Sequence, residues 1–200
     1  MEVGAIILSG GKSSRMGTNK ALLKINEKTN VERITGQLKA TFDDIILVTN
    51  DPETYEFLNV TKALDHFPGK GPLAGLHAGL SASNFEVNLV VACDMPFISS
   101  ELASDLVNRI GIYDAVIPVI GGRKQPLFSV FKKKSLVTIE DSIKNEHLQM
   151  QRLLDLLSVL YVTEKDLKGY DASCLERIFF NMNYPSEYEN AKKWAEEEGK

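Results

Sequence analysis

Apolar runs of strand length recur along the chain: Ala5-Ile6-Ile7-Leu8, Ile45-Ile46-Leu47-Val48, Leu89-Val90-Val91-Ala92, Ala115-Val116-Ile117, Leu127 to Phe131 and Val159 to Val162. They are continuous rather than alternating, the pattern of strands covered by helices on both faces. Between them apolar residues fall at helical spacing, as in Val31, Ile34, Leu38 and Phe42, in Leu73, Leu76 and Leu80, and in Leu102, Leu106 and Ile110. This alternation predicts an α/β chain of three layers, with helices on both sides of a mainly parallel, Rossmann-like sheet. Gly121-Gly122-Arg123-Lys124 ahead of Leu127 to Phe131 predicts that the sheet turns back on itself once, giving one antiparallel strand. Near the end, Pro185 opens a helix that sets Tyr188, Ala191 and Trp194 on one face and leaves Glu196, Glu197 and Glu198 as its solvated end.

The 200 residues are 44% apolar and 25% charged, which excludes a disordered or collagenous chain and a small disulfide scaffold. At this length roughly 70% of the unfolded surface is buried on folding, so a single domain over residues 1–200 is expected, and no linker, repeat or low-complexity tract divides it. The longest apolar runs are about a quarter of the ~20 residues a membrane-spanning helix needs, and Met1-Glu2-Val3-Gly4 lacks a basic leader; a cytoplasmic protein without a membrane partner is expected. Cys93 and Cys174 suit a reducing compartment and read as small buried side chains. A formal charge of −4 argues against an electrostatic nucleic-acid binder but permits a local basic pocket for a phosphorylated small molecule.

That pocket is visible after the first strand, in Leu8-Ser9-Gly10-Gly11-Lys12-Ser13-Ser14-Arg15-Met16-Gly17-Thr18-Asn19-Lys20. In a parallel sheet this segment emerges at the strands' carboxyl edge, where ligands bind. Its three glycines clear the way for backbone N–H groups to wrap a phosphate, and Arg15 and Lys20 supply positive charge. Met16 stands where a Walker loop needs its second glycine, and no Gly-x-Gly-x-x-Gly occurs, so a kinase or dehydrogenase reading loses ground. Read alone, the segment serves equally as a turn with solvated charges.

The segment resembles Leu-x-Gly-Gly-x-x-x-Arg-Met-Gly-x-x-Lys, the opening signature of the nucleotidyltransferases that include the molybdenum cofactor guanylyltransferases. Asp65-His66-Phe67-Pro68-Gly69-Lys70-Gly71-Pro72-Leu73-Ala74-Gly75, Val91-Ala92-Cys93-Asp94-Met95-Pro96 and Asn181-Met182-Asn183-Tyr184-Pro185-Ser186-Glu187 follow in the order that family shows. The resemblance implies nucleotide contacts from Leu8, Ser9, Gly10, Gly11 and Lys20, guanine recognition around Asp65, Gly71, Pro72 and Leu73, and Mg²⁺ on Asp94. It further implies that Asn181 and Asn183 face the second substrate or the metal-bound phosphate.

The residues themselves support part of this. Asp94 closes a buried strand at the same edge as the first loop, and a carboxylate facing a phosphate loop is a credible Mg²⁺ ligand; its competing role is a cap for a helix beginning near Ser99. Asp65, at the end of a strand beginning near Thr61, reads equally as a turn residue, and Gly75, Ala78 and Gly79 as small residues that let a helix pack closely. Asn181 and Asn183, two apart, point to one face if the chain there is extended. Cys93 has no His nearby in sequence and reads as a buried thiol, and His66 and His77 carry no assigned role.

The combined reading is a Mg²⁺-dependent transferase that moves GMP from GTP to the phosphate of molybdenum-bearing molybdopterin and releases pyrophosphate. Arg15, Lys20 and Asp94 carry the charge stabilisation. Molybdoenzymes or cofactor-delivery proteins are the transient partners it implies. A relative using CTP or a sugar-phosphate acceptor, and a noncatalytic nucleotide-binding module, are the alternatives.

Overall fold

The computed structural model describes residues 2–10, 19–42 and 44–198. In chain order the elements are β1 (Val3–Leu8), a short hairpin of β2 (Lys24–Ile25) and β3 (Lys28–Thr29), α1 (Asn30–Leu38), β4 (Asp44–Val48), β5 (Thr61–Ala63), α2 (Pro72–Ala82) and β6 (Val87–Ala92). They continue with α3 (Ser100–Asn108), β7 (Ala115–Ile120), β8 (Arg123–Lys124), β9 (Phe128–Lys132), α4 (Leu136–Lys144), α5 (Met150–Leu156), β10 (Val159–Thr163), α6 (Ala172–Ile178) and α7 (Pro185–Glu198).

The main sheet runs in the order β10-β7-β9-β6-β1-β4-β5, with β8 paired to β7. The pairs β1–β4, β1–β6, β4–β5 and β7–β10 are parallel, whereas β9 lies antiparallel between β6 and β7. This is the antiparallel strand the glycine pair announces. Gly121 and Gly122 have φ of +57° and +72°, the left-handed pair that a two-residue hairpin turn requires, and the turn adds the two-residue β8 as a second antiparallel piece.

Successive residues of each central strand face opposite layers, so the continuous apolar runs divide between two cores. Ala5, Ile7, Ile45, Leu47, Leu89 and Val91 pack with Val31, Ile34 and Leu38 of α1, Leu102 and Leu106 of α3, and Leu175 and Ile178 of α6. Ile6, Leu8, Ile46, Val48 and Val90 pack on the other side with Leu73, Leu76 and Leu80 of α2, Ile139 and Ile143 of α4, and Leu153 and Leu154 of α5. The expected three-layer α/β/α arrangement is therefore present. A third, smaller cluster joins Ile25, Phe97 and Met182 to Ala191 and Ala195 of α7.

Local chemistry fixes the helix starts. Thr29 and Glu32 form a capping box at α1: Thr29 N–H donates to Glu32 Oε2 at 2.7 Å, and Glu32 N–H donates to Thr29 Oγ1 at 3.4 Å. Ser99 Oγ accepts from Leu102 N–H at 3.1 Å, so Ser99 caps α3 and Asp94 is not needed for it. Cys174, expected to be buried, is exposed, because α6 turns Leu175 and Ile178 inward and leaves Cys174 on its outer side.

Gly79 shows how closely α2 lies on the sheet. A Cβ there would collide with Ile6 Cγ2 and stand 3.2 Å from Val48 Cγ2, while one at Gly36, on the outer face of α1, would meet nothing among the described residues. Gly79→Ala is expected to lower the unfolding free energy by about 1–3 kcal/mol through overpacking. Gly36→Ala is expected to raise it by about 0.5–1 kcal/mol through helix propensity. Denaturant midpoints of the two variants check both signs.

Candidate functional site

The sheet order changes direction at β1: β4 and β5 lie to one side, and the connection through α2 carries the chain across to β6 on the other. Ligands of open α/β sheets bind beyond the carboxyl ends of the strands at such a reversal. The residues leaving β1 and β6 meet there, since Leu8 pairs with Ala92 and Cys93 N–H donates to the Leu8 carbonyl at 3.0 Å. Ser9 N–H in turn donates to Val48 O at 2.9 Å, so Ser9 is fixed between both neighbouring strand ends. Ala92 N–H donates to Leu127 O at 2.8 Å, which brings the segment around Gln125 to the same edge.

Three side chains from distant parts of the chain converge at this edge. Lys20 Nζ donates to Asn183 Oδ1 at 2.7 Å and lies 3.5 Å from Asp94 Oδ2. The Lys20 and Asp94 side chains keep only 17% and 20% of their surface exposed, so the pair is largely withdrawn from water. Burial pushes the Asp94 carboxyl pKa up, the nearby Lys20 charge opposes this, and the charge of Glu187 adds to it. Asp94 Oδ1 is buried without a hydrogen-bond partner among the described residues. A carboxylate oxygen left unsatisfied beside a lysine suits a cation bound with phosphate oxygens, so the residue present fits a Mg²⁺ ion. Among the described residues no three His, Cys, Asp or Glu side chains cluster as a metal cage, and an ion here would take its remaining ligands from substrate and water.

Asn183 owes its position to the segment entering α7. Met182 N–H donates to the Asp94 carbonyl at 2.9 Å and the Met182 side chain is fully buried, which turns the flanking asparagines outward. Glu187 Oε2 accepts from Asn183 N–H at 2.5 Å and from Tyr184 N–H at 2.9 Å, closing the turn before the helix. No strand forms over residues 180–184, and the two asparagines make different contacts: Asn181 Nδ2 donates to the Phe179 carbonyl at 3.0 Å.

Asp65 lies two residues beyond β5 in a turn, with its N–H on Asn50 Oδ1 at 3.3 Å and its Oδ1 accepting from Phe67 N–H at 2.8 Å. Gly71, at φ +71°, precedes α2, and Pro72 occupies its first turn, where a missing N–H costs nothing. Leu73 and Leu8 are core side chains, so only their backbone groups are available to a ligand. Gly10 is exposed, and a Cβ on it would meet no described atom within 4 Å. Gly11 and Arg15, with the remainder of residues 11–18, lie outside the described residues.

Burial, followed by the charge of Asp94, pushes the Cys93 thiol up to about 12, so it stays protonated near neutral pH and is no nucleophile. His77 is buried edge-on to Phe67, with ring centroids 5.0 Å apart, and burial lowers its pKa; it is a packing residue. Sequence reasoning missed Tyr55, Asn19 and Asn30. Tyr55 lies in a loop without a motif, but Asn30, whose Nδ2 donates to the Cys93 carbonyl at 2.5 Å, is signalled by a polar residue at a position that turns out fully buried.

Residues 5–160 match the MobA-like NTP transferase domain. The chain is 37% identical over 196 residues to a probable molybdenum cofactor guanylyltransferase of Pelotomaculum thermopropionicum, covering 98% of this chain and 95% of that one. It is 34% identical to another of Natranaerobius thermophilus, with 96% of each chain covered. In three dimensions it is similar to molybdopterin-guanine dinucleotide biosynthesis protein A of Archaeoglobus fulgidus, at a TM-score of 0.83 and 24% identity over 97% of this chain and 99% of that one, a likeness of fold.

Proposed function

Because the chain belongs to the MobA-like NTP transferase family, we propose that it transfers GMP from GTP to the phosphate of molybdenum-bearing molybdopterin and releases pyrophosphate. The observation that carries this reading is the meeting of Lys20, Asp94 and Asn183 at the reversal of the sheet, beside the glycine-rich segment. One domain over residues 1–200, acting in the cytoplasm on GTP and molybdopterin and passing its product to a molybdoenzyme or a delivery protein, completes it. Among the described residues no helix is long and apolar enough to cross a membrane.

In the proposed reaction an oxygen of the acceptor phosphate forms a bond to the α-phosphorus of GTP as the bond from that phosphorus to the α–β bridging oxygen breaks, and pyrophosphate carries the electrons away. The acceptor is already ionised near neutral pH, so no residue has to remove a proton. The chain's task is to hold two anions together and to stabilise charge on the leaving group. Lys20, drawn into place by Asp94 and Asn183, supplies a fixed positive charge, with Arg15 as its second source. Asp94 would hold Mg²⁺, which screens the triphosphate oxygens. Asp65 and the backbone from Gly71 to Leu73 line the position of the base.

Mass spectrometry of the product after incubation with GTP, Mg²⁺ and molybdopterin tests the reading. A mass gain of one GMP supports it, and pyrophosphate release with CTP alone sinks the guanylyl assignment. Because a site that hydrogen-bonds one base leaves polar groups unpaired against another, kcat/KM for GTP is expected to exceed that for CTP by roughly a hundredfold or more. Gly10→Ala is expected to narrow that ratio by penalising GTP. The added methyl meets no described atom within 4 Å, so the described part of the fold has room for it.

A further inference from the structure

Ser9 and Asn19 stand on either side of the glycine-rich segment, ten positions apart in sequence, yet both reach the same atom. The Tyr55 hydroxyl lies 2.7 Å from Ser9 Oγ and 2.8 Å from Asn19 Nδ2. Ala21 N–H donates to Asn19 Oδ1 at 3.1 Å, which settles that the amide nitrogen of Asn19 faces the phenol. With Asn19 donating, the Tyr55 proton is available to Ser9.

The base of this contact is rigid. Tyr55 ends a short turn, Glu53–Tyr55, and its N–H donates to Pro52 O at 3.1 Å. Asp51 begins the turn by accepting from Thr54 N–H at 3.4 Å. The Tyr55 ring is 1% exposed and packs in the core formed with α1 and β4. Phenylalanine would satisfy that packing equally well, so burial does not account for the hydroxyl. Its two hydrogen bonds both go to the ends of one segment, and Lys20 follows directly.

We propose that Tyr55 is a positioning residue: its hydroxyl pins Ser9, just past the end of β1, and Asn19, next to Lys20, to one point of the core before nucleotide arrives. The inference rests on the proposed function, in which Ser9 and Lys20 contact the nucleotide. Holding these residues in advance removes an ordering cost from binding. That gain is shared by bound substrate and transition state, so it belongs in KM rather than in kcat. Lys20 is held independently by Asp94 and Asn183, which leaves the chemical step largely intact when the pin is lost.

The test is Tyr55→Phe in the full-length protein, with steady-state kinetics in GTP at saturating molybdopterin and Mg²⁺. The expected result is a rise in KM for GTP of about tenfold with kcat within about threefold of the native value, as loss of preorganisation alone would give. Ser9→Ala should raise KM in the same direction, and the double variant should fall short of the product of the two effects, because both remove one shared hydrogen bond. Amide exchange without nucleotide should quicken at Ala21, Leu22 and Leu23 in Tyr55→Phe. A native KM in a folded Tyr55→Phe overturns the proposal, and if that variant does not fold, Ser9→Ala is judged by the same measurement. Transfer of GMP by the native protein together with an unmoved KM defeats the pin alone. Faster exchange in a protein that never transfers GMP defeats the transferase reading and leaves the pin standing.

Discussion

Lys20→Ala is expected to lower kcat for GMP transfer by roughly a hundredfold or more, the scale of losing a charge-stabilising donor from a transition state. Two features of the structure set this size. Lys20 Nζ is held at 2.7 Å from Asn183 Oδ1 and 3.5 Å from Asp94 Oδ2, so its charge is fixed before substrate binds and costs no reorganisation during the reaction. It is also largely withdrawn from water, so its charge is screened less than it would be at an exposed site. The fold should persist, because the hydrophobic clusters on both faces of the sheet do not depend on this side chain. Saturating single-turnover kinetics, with circular dichroism as the check on folding, measure the effect. Arg15→Ala should give a loss of the same order, and near-native rates in both variants would reduce the segment to a solvated turn.

Asp94→Asn is the second large effect. The amide keeps the shape of the side chain but loses the negative charge that would hold a hard cation, so the rate at ordinary Mg²⁺ concentration is expected to fall by about a hundredfold, a loss comparable to that of a principal electrostatic group. Part of the activity is expected to return as Mg²⁺ is raised. The substitution also removes the charge that faces Lys20 Nζ at 3.5 Å, so the Mg²⁺ dependence, and not the rate alone, reports on the cation. A Mg²⁺ titration of rate in native and variant protein decides the point. An unchanged rate with an unchanged Mg²⁺ dependence would remove Asp94 from the metal's position, and the cap of α3 is already supplied by Ser99.

Much of this architecture is legible without coordinates, because its central strands are buried on both faces. Runs such as Leu89 to Ala92 admit few other readings once helical spacing flanks them, and the glycine pair before Leu127 to Phe131 marks the reversal of direction. The carboxyl edge as the site, and the meeting of Lys20 with Asp94, follow from strand order and motif position. What sequence does not disclose is side-chain pairing across long separations. Asn181 and Asn183 look equivalent on paper, yet the capture of Met182 by Asp94 and the turn into α7 send one to Lys20 and the other to a backbone carbonyl. Cys174 looks as buried as Cys93 because composition alone cannot say which side of a short helix faces outward. Tyr55 carries no signature at all, since its role depends on where two other residues return to the same point.

The bond from Met182 N–H to the Asp94 carbonyl also bears on how the protein is made. A chain emerging from the ribosome can pair β1 with β4 and β6, and thereby bring Lys20 near Asp94, long before residues 181–187 exist. Lys20 then lacks its Asn183 partner, and the carboxyl edge lacks the strap that Glu187 secures. Domains generally fold as units while synthesis proceeds from the amino terminus. Residues 181–187 are therefore delivered after every strand of the described sheet, and until they arrive Lys20 lacks one of the two partners that hold it. The placing of this one charge is a late event in the making of the chain.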